Sequence, residues 1–405
     1  MKQPSLARQP LGKAIRIRYR MTPWWLRVVV VWLLSRVVTT GILLWFAGEQ
    51  TKNQWTQAHP DYLAFAQLWD STWYHIVAAS GYPSVLPETV SGHVIENAWA
   101  FLPAYPLLVR GLMMATGLPW APLSVFVSVA FSLGAALVFY RLLRLVLPGE
   151  TALFAVVLFC VGPLSPILQV SYAESMHVFF LAVALYLLMQ RRYVMLIPVI
   201  AVMALTRPSG LAFALALGLH VLHRFFTRSR DPFPVWERIL ALGVMVFSGI
   251  MGLAWPFLAW MVTGSVTAYT DTELAWRVPY LGYLELVPFT PWIQGARFWM
   301  PGPLGIAVLV LVVVAFIGFL FTSWSRRLGV TLRFWVASYG LYLLAVFFPQ
   351  SSTFRLLLPM FPLAGALAQP RSRTYRILLV AVFIIGQWVW CYYCWWVDGY
   401  DWTPP

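Results

Sequence analysis

Apolar segments of membrane-crossing length recur from residue 24 to residue 397, with arginines gathered at alternate connections between them. This recurrence limits the fold more than any other feature of the sequence. A stretch of about 20 apolar residues matches the thickness of a bilayer core as a helix, so a series of them describes a polytopic bundle. Hydrophobic residues make up 60% of the chain and charged ones 10%, which leaves no room for a sizeable soluble domain. The first run, 24–47, is longer than the core of a secretory signal and is followed by no small-x-small cleavage site. It reads as a membrane helix rather than a leader.

Charge orients the series. The tail 1–23 carries six cations and no acid, and is expected on the cytoplasmic side. Spans are expected at about 24–47, 120–140, 151–169, 174–190, 193–206, 210–223, 239–262, 302–322, 331–348, 354–369 and 377–397. Under this topology the inner segments hold 21 Lys and Arg against 3 acids, and the outer segments 6 against 11. Arg36 lies within the first span. The expectation is an all-α polytopic membrane protein, one domain over 1–405, with about 11 transmembrane helices, the N-terminus in and the C-terminus out. Two long outer loops stand out, 48–118 and 263–301; within the first, residues 99–118 are proline-shaped and read as re-entrant or interfacial helices.

The net charge of +14 follows this alternation and forms no basic stripe, so nucleic acid is not an expected partner. The 25 arginines against three lysines fit a GC-rich bacterial genome, and with it a bacterial cytoplasmic membrane. Cys391 and Cys394 have no accompanying Cys or His pair to make a zinc site. No metal site and no cofactor are expected.

Within the first outer loop, "LWDSTWYHIVAASGYP" places Asp70 and His75 among Trp69, Trp73 and Tyr74. On a helix, Trp69, Trp73 and Ile76/Val77 share one face, and Asp70 and Tyr74 another. Such a helix would lie in the interface and hold a carboxylate at the membrane surface. Further on, "ENAWAFLPAYP" carries Glu96, "VSYAES" carries Glu174, "TRPSG" carries Arg207 and "STFRLLLPMFP" carries Arg355. Ionisable groups at the edges of apolar spans are costly unless they pair or line a site. Each has a structural reading too: an acid in a first helical turn complements the dipole, and interfacial arginines snorkel. Together they make one outer face with carboxylates suited to proton transfer and guanidiniums suited to phosphate. The second outer loop, aromatic and bearing Asp271, Glu273 and Arg277, reads as a cover with some contact to an acceptor.

In order, the motifs W-D-x-x-W/Y…G-Y, E-x-x-x-A-F-x-P-x-Y-P-L-L, Y-x-E-S, T-R-x-x-G and F-R-x-x-L-P-x-F-P resemble the PIG-V family of GT-C mannosyltransferases. The residues that carry the resemblance include Trp69, Asp70, Gly81, Tyr82, Glu96, Phe101, Tyr105, Tyr172, Glu174, Arg207, Gly210, Arg355 and Pro359. The resemblance implies a GT-C-type bundle that uses a polyprenyl-phosphate-mannose donor on the non-cytoplasmic face. It also implies Asp70 as the catalytic carboxylate, acting as general base in an inverting displacement. On that reading Arg207, Arg355 and His75 would take the donor phosphate. Glu96, Glu174, Trp69, Trp73, Tyr74, Tyr105 and Tyr172 would bind or orient substrate. The acceptor is a glycolipid, lipoglycan or protein hydroxyl. Two other classes stay open: a transporter or flippase for a lipid-linked sugar, and a non-catalytic membrane subunit.

Overall fold

The computed structural model describes residues 22–397, so most of the basic tail and the acidic segment after Val397 lie outside the described residues. Among the described residues the chain is helical, and its only β pairing is an isolated bridge between Glu88 and Val94. The first half comprises α1 (Trp24–Glu49), α2 (Asp70–Ser80), α3 (Ala104–Thr116), α4 (Trp120–Leu143), α5 (Gly149–Val161), α6 (Glu174–Met189) and α7 (Tyr193–Thr206). The second comprises α8 (Gly210–Phe226), α9 (Val235–Thr263), α10 (Ala268–Ala275), α11 (Thr290–Trp299), α12 (Pro303–Leu320), α13 (Val330–Val346) and α14 (Arg373–Trp390).

Among the described residues, five helices are long and apolar enough to cross a membrane: α1, α4, α9, α12, and α14 with the wide turn Cys391–Trp395 that continues it. The other six apolar segments are shorter helices. Their brevity has local causes. The span expected at 151–169 stops at Val161, because Gly162-Pro163 cannot continue it, and resumes as a tight turn at Ser165–Gln169. The span expected at 354–369 is broken into Thr353–Leu356, Leu358–Leu363 and Ala364–Leu367, with Pro359 and Pro362 in the middle piece. Residues 99–118 form a short turn, Ala98–Ala100, and the amphipathic α3, which buries Tyr105, Pro106 and Val109.

The break after α5 accounts for Arg36. This arginine, 8% exposed, donates to the Cys160 carbonyl at 2.9 Å and to the Ser165 carbonyl at 3.2 Å. A helix end leaves carbonyls without intrahelical partners and a partial negative charge, and a guanidinium from the neighbouring helix answers both. Beside it, Gln387 of α14 donates to the Val161 carbonyl at 2.8 Å and accepts from Thr39 of α1 at 2.8 Å. Three helices are thus pinned where one of them ends.

In the middle of the chain α4 packs on α6, α6 on α7, and α8 on both α9 and α13. The α8–α9 crossing is as close as backbones allow. A Cβ at Gly210 would stand 2.6 Å from the Gly252 nitrogen, and one at Gly252 2.6 Å from the Leu211 nitrogen. Ser248 also donates to the Gly210 carbonyl at 2.8 Å. Small residues at such crossings admit close backbone packing in lipid. Here the crossing fixes the start of α8, three residues after Arg207.

Candidate active site

The segment 62–80 is built to fix Asp70. Trp69 immediately precedes α2 and holds φ at +61°, a region that bulky residues rarely occupy. That conformation is over-determined by packing. Trp69 is 6% exposed, packs its ring at a tilt against Trp55 with centroids 4.6 Å apart, and donates its indole N–H to the Trp395 carbonyl at 3.0 Å. Asp70 follows as the first residue of α2, where the helix dipole favours a carboxylate. Its backbone N–H donates to the Tyr172 hydroxyl at 3.0 Å. One turn earlier, Gln67 accepts from Ser71 at 2.8 Å and from Trp120 at 2.7 Å, tying this corner to α4.

The buried face of α2 is the one that carries Tyr74. Ser71, Tyr74, Val77 and Ala78 are buried, Trp73 is half-buried, and Ile76 is 40% exposed. Tyr74 turns inward because its ring packs edge-on against both Phe101 and Tyr105, each at 5.3 Å.

Four ionised side chains from four distant segments meet here. Arg355 bonds the Asp70 carboxylate and Arg207 bonds that of Glu174. The cross contacts are 3.8 Å for Arg207–Asp70 and 3.6 Å for Arg355–Glu174. Asp70 and Arg355 are 12% exposed at the side chain, Arg207 15% and Glu174 6%. The Arg207 guanidinium lies 6.0 Å from the Tyr74 ring centre, and that of Arg355 5.6 Å from the Tyr172 ring. Two cations and two carboxylates balance, which makes their burial bearable. The hydrogen bonding does not balance. Glu174 Oε2, Arg207 Nε, Arg355 Nε and the Tyr74 hydroxyl are buried without a hydrogen-bond partner among the described residues. Groups in that condition cost about 1–3 kcal/mol each, and four at one ionic cluster mark a place fitted to receive something polar. Burial, foremost, raises the Tyr74 hydroxyl well above its ordinary pKa, so it remains a donor at neutral pH.

The other expected site residues lie around this cluster or away from it. Tyr172 positions Asp70 through the backbone bond just described. Tyr105 is fully buried and donates to the Ser124 carbonyl at 2.9 Å, so it supports Tyr74 from behind. Trp69 also sits behind the cluster. Trp73 stacks on Phe101 at 5.7 Å. His75 is exposed and stacks on Trp120 at 5.2 Å, outside the ionic network. Glu96 lies on the loop before Ala98–Ala100 and joins no ion pair among the described residues.

Helix α10, in the second long loop, comes closer than a cover requires. Thr272 accepts a hydrogen bond from buried Asn97 at 2.9 Å. Trp276 sets its ring edge-on to Trp73 at 5.8 Å, and Arg277 donates to the Val346 carbonyl at 2.6 Å. Glu273 lies one turn from both Tyr269 and Arg277. Burial foremost raises its carboxyl above the ordinary range, against the opposing pull of Arg277, of a hydrogen bond from Tyr269, and of Arg207 and Arg355. The i, i+4, i+8 spacing of Tyr269, Glu273 and Arg277 was the available sequence signal. Among the described residues, no three His, Cys, Asp or Glu side chains gather as metal ligands.

The solved structures that resemble this chain include two of an oligosaccharyltransferase from Archaeoglobus fulgidus. One is tethered with an acceptor peptide containing an NVT sequon, with 12% identity and a TM-score of 0.39 over 89% of this chain and 53% of that one. The other, AglB in complex with an inhibitory peptide and a dolichol-phosphate, has 13% identity and a TM-score of 0.42 over 89% and 54%. The chain spans about half the length of these proteins. No family model and no curated protein matches it.

Proposed function

We propose that this protein is a membrane glycosyltransferase. It moves a sugar, mannose foremost, from a polyprenyl-phosphate-linked donor to a hydroxyl of a glycolipid, lipoglycan or other acceptor on the non-cytoplasmic face. The observation that carries the proposal is the buried ionic cluster, with its two unpartnered guanidinium Nε–H groups and its unpartnered carboxylate oxygen.

The chemistry is a single displacement. The acceptor oxygen attacks the anomeric carbon as the bond from that carbon to the phosphate oxygen breaks. The hydroxyl proton passes to the Asp70 carboxylate, and the bonding pair leaves with the phosphate. Arg207 and Arg355 take up the negative charge that develops there, so the leaving group needs no proton. In the structure these arginines are held by Asp70 and Glu174. A donor phosphate replaces a carboxylate as their partner, and Asp70 is released to face the acceptor. Charge-assisted, bidentate bonding to arginine suits that exchange. Glu174, the more buried acid, keeps the arginines aligned while the sugar moves.

The test is transfer from labelled polyprenyl-phosphate-mannose to the host's lipid extract by purified protein in nanodiscs, with Asp70→Asn beside wild type. A general base contributes about 10²–10⁴-fold, and a folded Asp70→Asn protein is expected to lose that much. Equal transfer by both proteins would remove Asp70 from its role. No transfer by wild type, with release of label inside sealed vesicles, would turn the reading to transport.

A further inference from the structure

Helix α8 starts at the candidate site and ends about 24 Å away, at Phe226. At that far end, a groove of about 350 Å³ opens between α8 and α9, lined by Gly218, Val221, Leu222, Phe225, Leu242 and Met245, with Phe233 and Arg238 at its rim. Its walls are apolar and its rim is cationic. The Arg238 guanidinium lies 5.7 Å from the ring centres of both Phe225 and Phe233, and that of Arg228 lies 4.0 Å from Phe225. Arg238 donates its Nε–H to the Phe233 carbonyl at 2.6 Å, and Arg228 one Nη to the Phe225 carbonyl at 3.1 Å. Their other guanidinium N–H groups have no hydrogen-bond partner among the described residues.

The charge around this rim is unevenly compensated. Arg224 is paired with Glu237, and Arg191 with Asp231. Arg228, Arg230 and Arg238 pair with no carboxylate among the described residues. Arg238 and Arg228, unneutralised beside an apolar slot, match an amphiphile with an anionic head and a hydrocarbon chain. A soluble anion would leave the slot empty, and a zwitterionic lipid would leave the arginines unneutralised. Basic pockets between membrane helices hold anionic headgroups by this combination.

We propose that the groove between α8 and α9 is a site for an anionic phospholipid, its acyl chain in the slot and its phosphate on Arg238 and Arg228. The site is separate from the ionic cluster and does not depend on the transferase reading. By fixing the end of α8 opposite Arg207, the bound lipid would also steady the helix that the candidate site rests on.

The experiment is native mass spectrometry of the full chain in detergent, titrated with phosphatidylglycerol or with phosphatidylcholine of the same acyl chains. Wild type is expected to retain phosphatidylglycerol preferentially. Removing each arginine is expected to weaken that binding about fivefold, so that Arg228→Ala/Arg230→Ala/Arg238→Ala treats the two lipids alike. Arg238→Gln alone serves if the triple variant does not fold. Gly218→Leu, whose added side chain starts 3.3 Å from Met245 Sδ and projects into the slot, is expected to lower retention without touching charge. Equal binding of the two lipids by wild type would overturn the proposal. So would undiminished phosphatidylglycerol selectivity in Arg238→Gln, unchanged retention in Gly218→Leu, or displacement of the lipid by soluble glycerol phosphate.

Discussion

Two buried arginine–carboxylate clusters stand at opposite ends of α8, and they are built on different terms. At the Phe226 end, Arg224 bonds Glu237, donates to the Tyr193 hydroxyl at 3.2 Å and to the Pro232 carbonyl at 2.8 Å. Only its Nε lacks a hydrogen bond, and Asp231 stands 3.7 Å from it. Arg224 and Glu237 lie 13 residues apart in one helical hairpin, so closing the hairpin makes the pair. At the other end, Asp70 and Arg355 are 285 residues apart, and Glu174 and Arg207 come from two further segments. Four buried polar atoms are left over there. A local, nearly satisfied pair is a fastening. A non-local cluster that gathers four charges and leaves their hydrogen bonds incomplete is shaped for a ligand.

The sharpest way to break this contrast is to neutralise one acid in each cluster. Asp70→Asn is expected to lose transfer by about 10²–10⁴-fold and Arg355→Ala by about 10²–10³-fold, with thermal unfolding showing both proteins folded. Glu237→Gln should do the reverse. It strands Arg224 in a buried place, and about 3–5 kcal/mol of stability should go, while transfer per folded molecule in nanodiscs stays at the wild-type level. If Glu237→Gln abolished transfer at full stability, the division between fastening and site would collapse. Arg36→Met tests a third arginine that the bundle uses structurally. It takes the guanidinium from the Ser165 carbonyl and leaves the Cys160 carbonyl with the Ser165 hydroxyl alone, and thermal unfolding in detergent should register about 1–3 kcal/mol.

Glu273 gives the smallest and most diagnostic effect. Its carboxyl is held above its ordinary pKa, with burial as the main cause, so folding favours its protonated form relative to the unfolded chain. The stability linked to that group is complete below the ordinary carboxylate pKa and is lost as pH rises through the raised value. Glu273→Gln should therefore unfold at the same temperature as wild type in acid and at a higher one near neutrality. A difference independent of pH would show that α10 does not hold this carboxyl in a buried place. A coincident change in transfer would extend the candidate site onto α10.

Much of the bundle can be read directly from the chain, because one long apolar run and one proline each act locally. Residues 24–49 hold no proline and are apolar enough to cross, and α1 occupies just that stretch. Pro359 and Pro362 cut their segment where their missing N–H groups require. The candidate site was legible as a set of residues but not as a contact. Nothing between Asp70 and Arg355 encodes their meeting, which depends on how α2, α6, α7 and the Thr353–Leu356 turn are stacked. For the same reason the inward turn of Tyr74 escaped pattern reading. Periodicity says which residues share a helix face, whereas the neighbours Phe101 and Tyr105 decide which face is inside.

By itself, then, the sequence determined that helices form, roughly where they stop, and which ionisable residues sit at their ends. Hydrophobic length, proline and glycine act within a turn or two of where they stand. Tertiary structure alone decided that Arg36 and Arg224 would be answered by carbonyls and neighbours, and that Arg207 and Arg355 would share two carboxylates with atoms to spare. The cost of a buried charge is set by everything packed around it, and that surrounding exists only once distant segments have met.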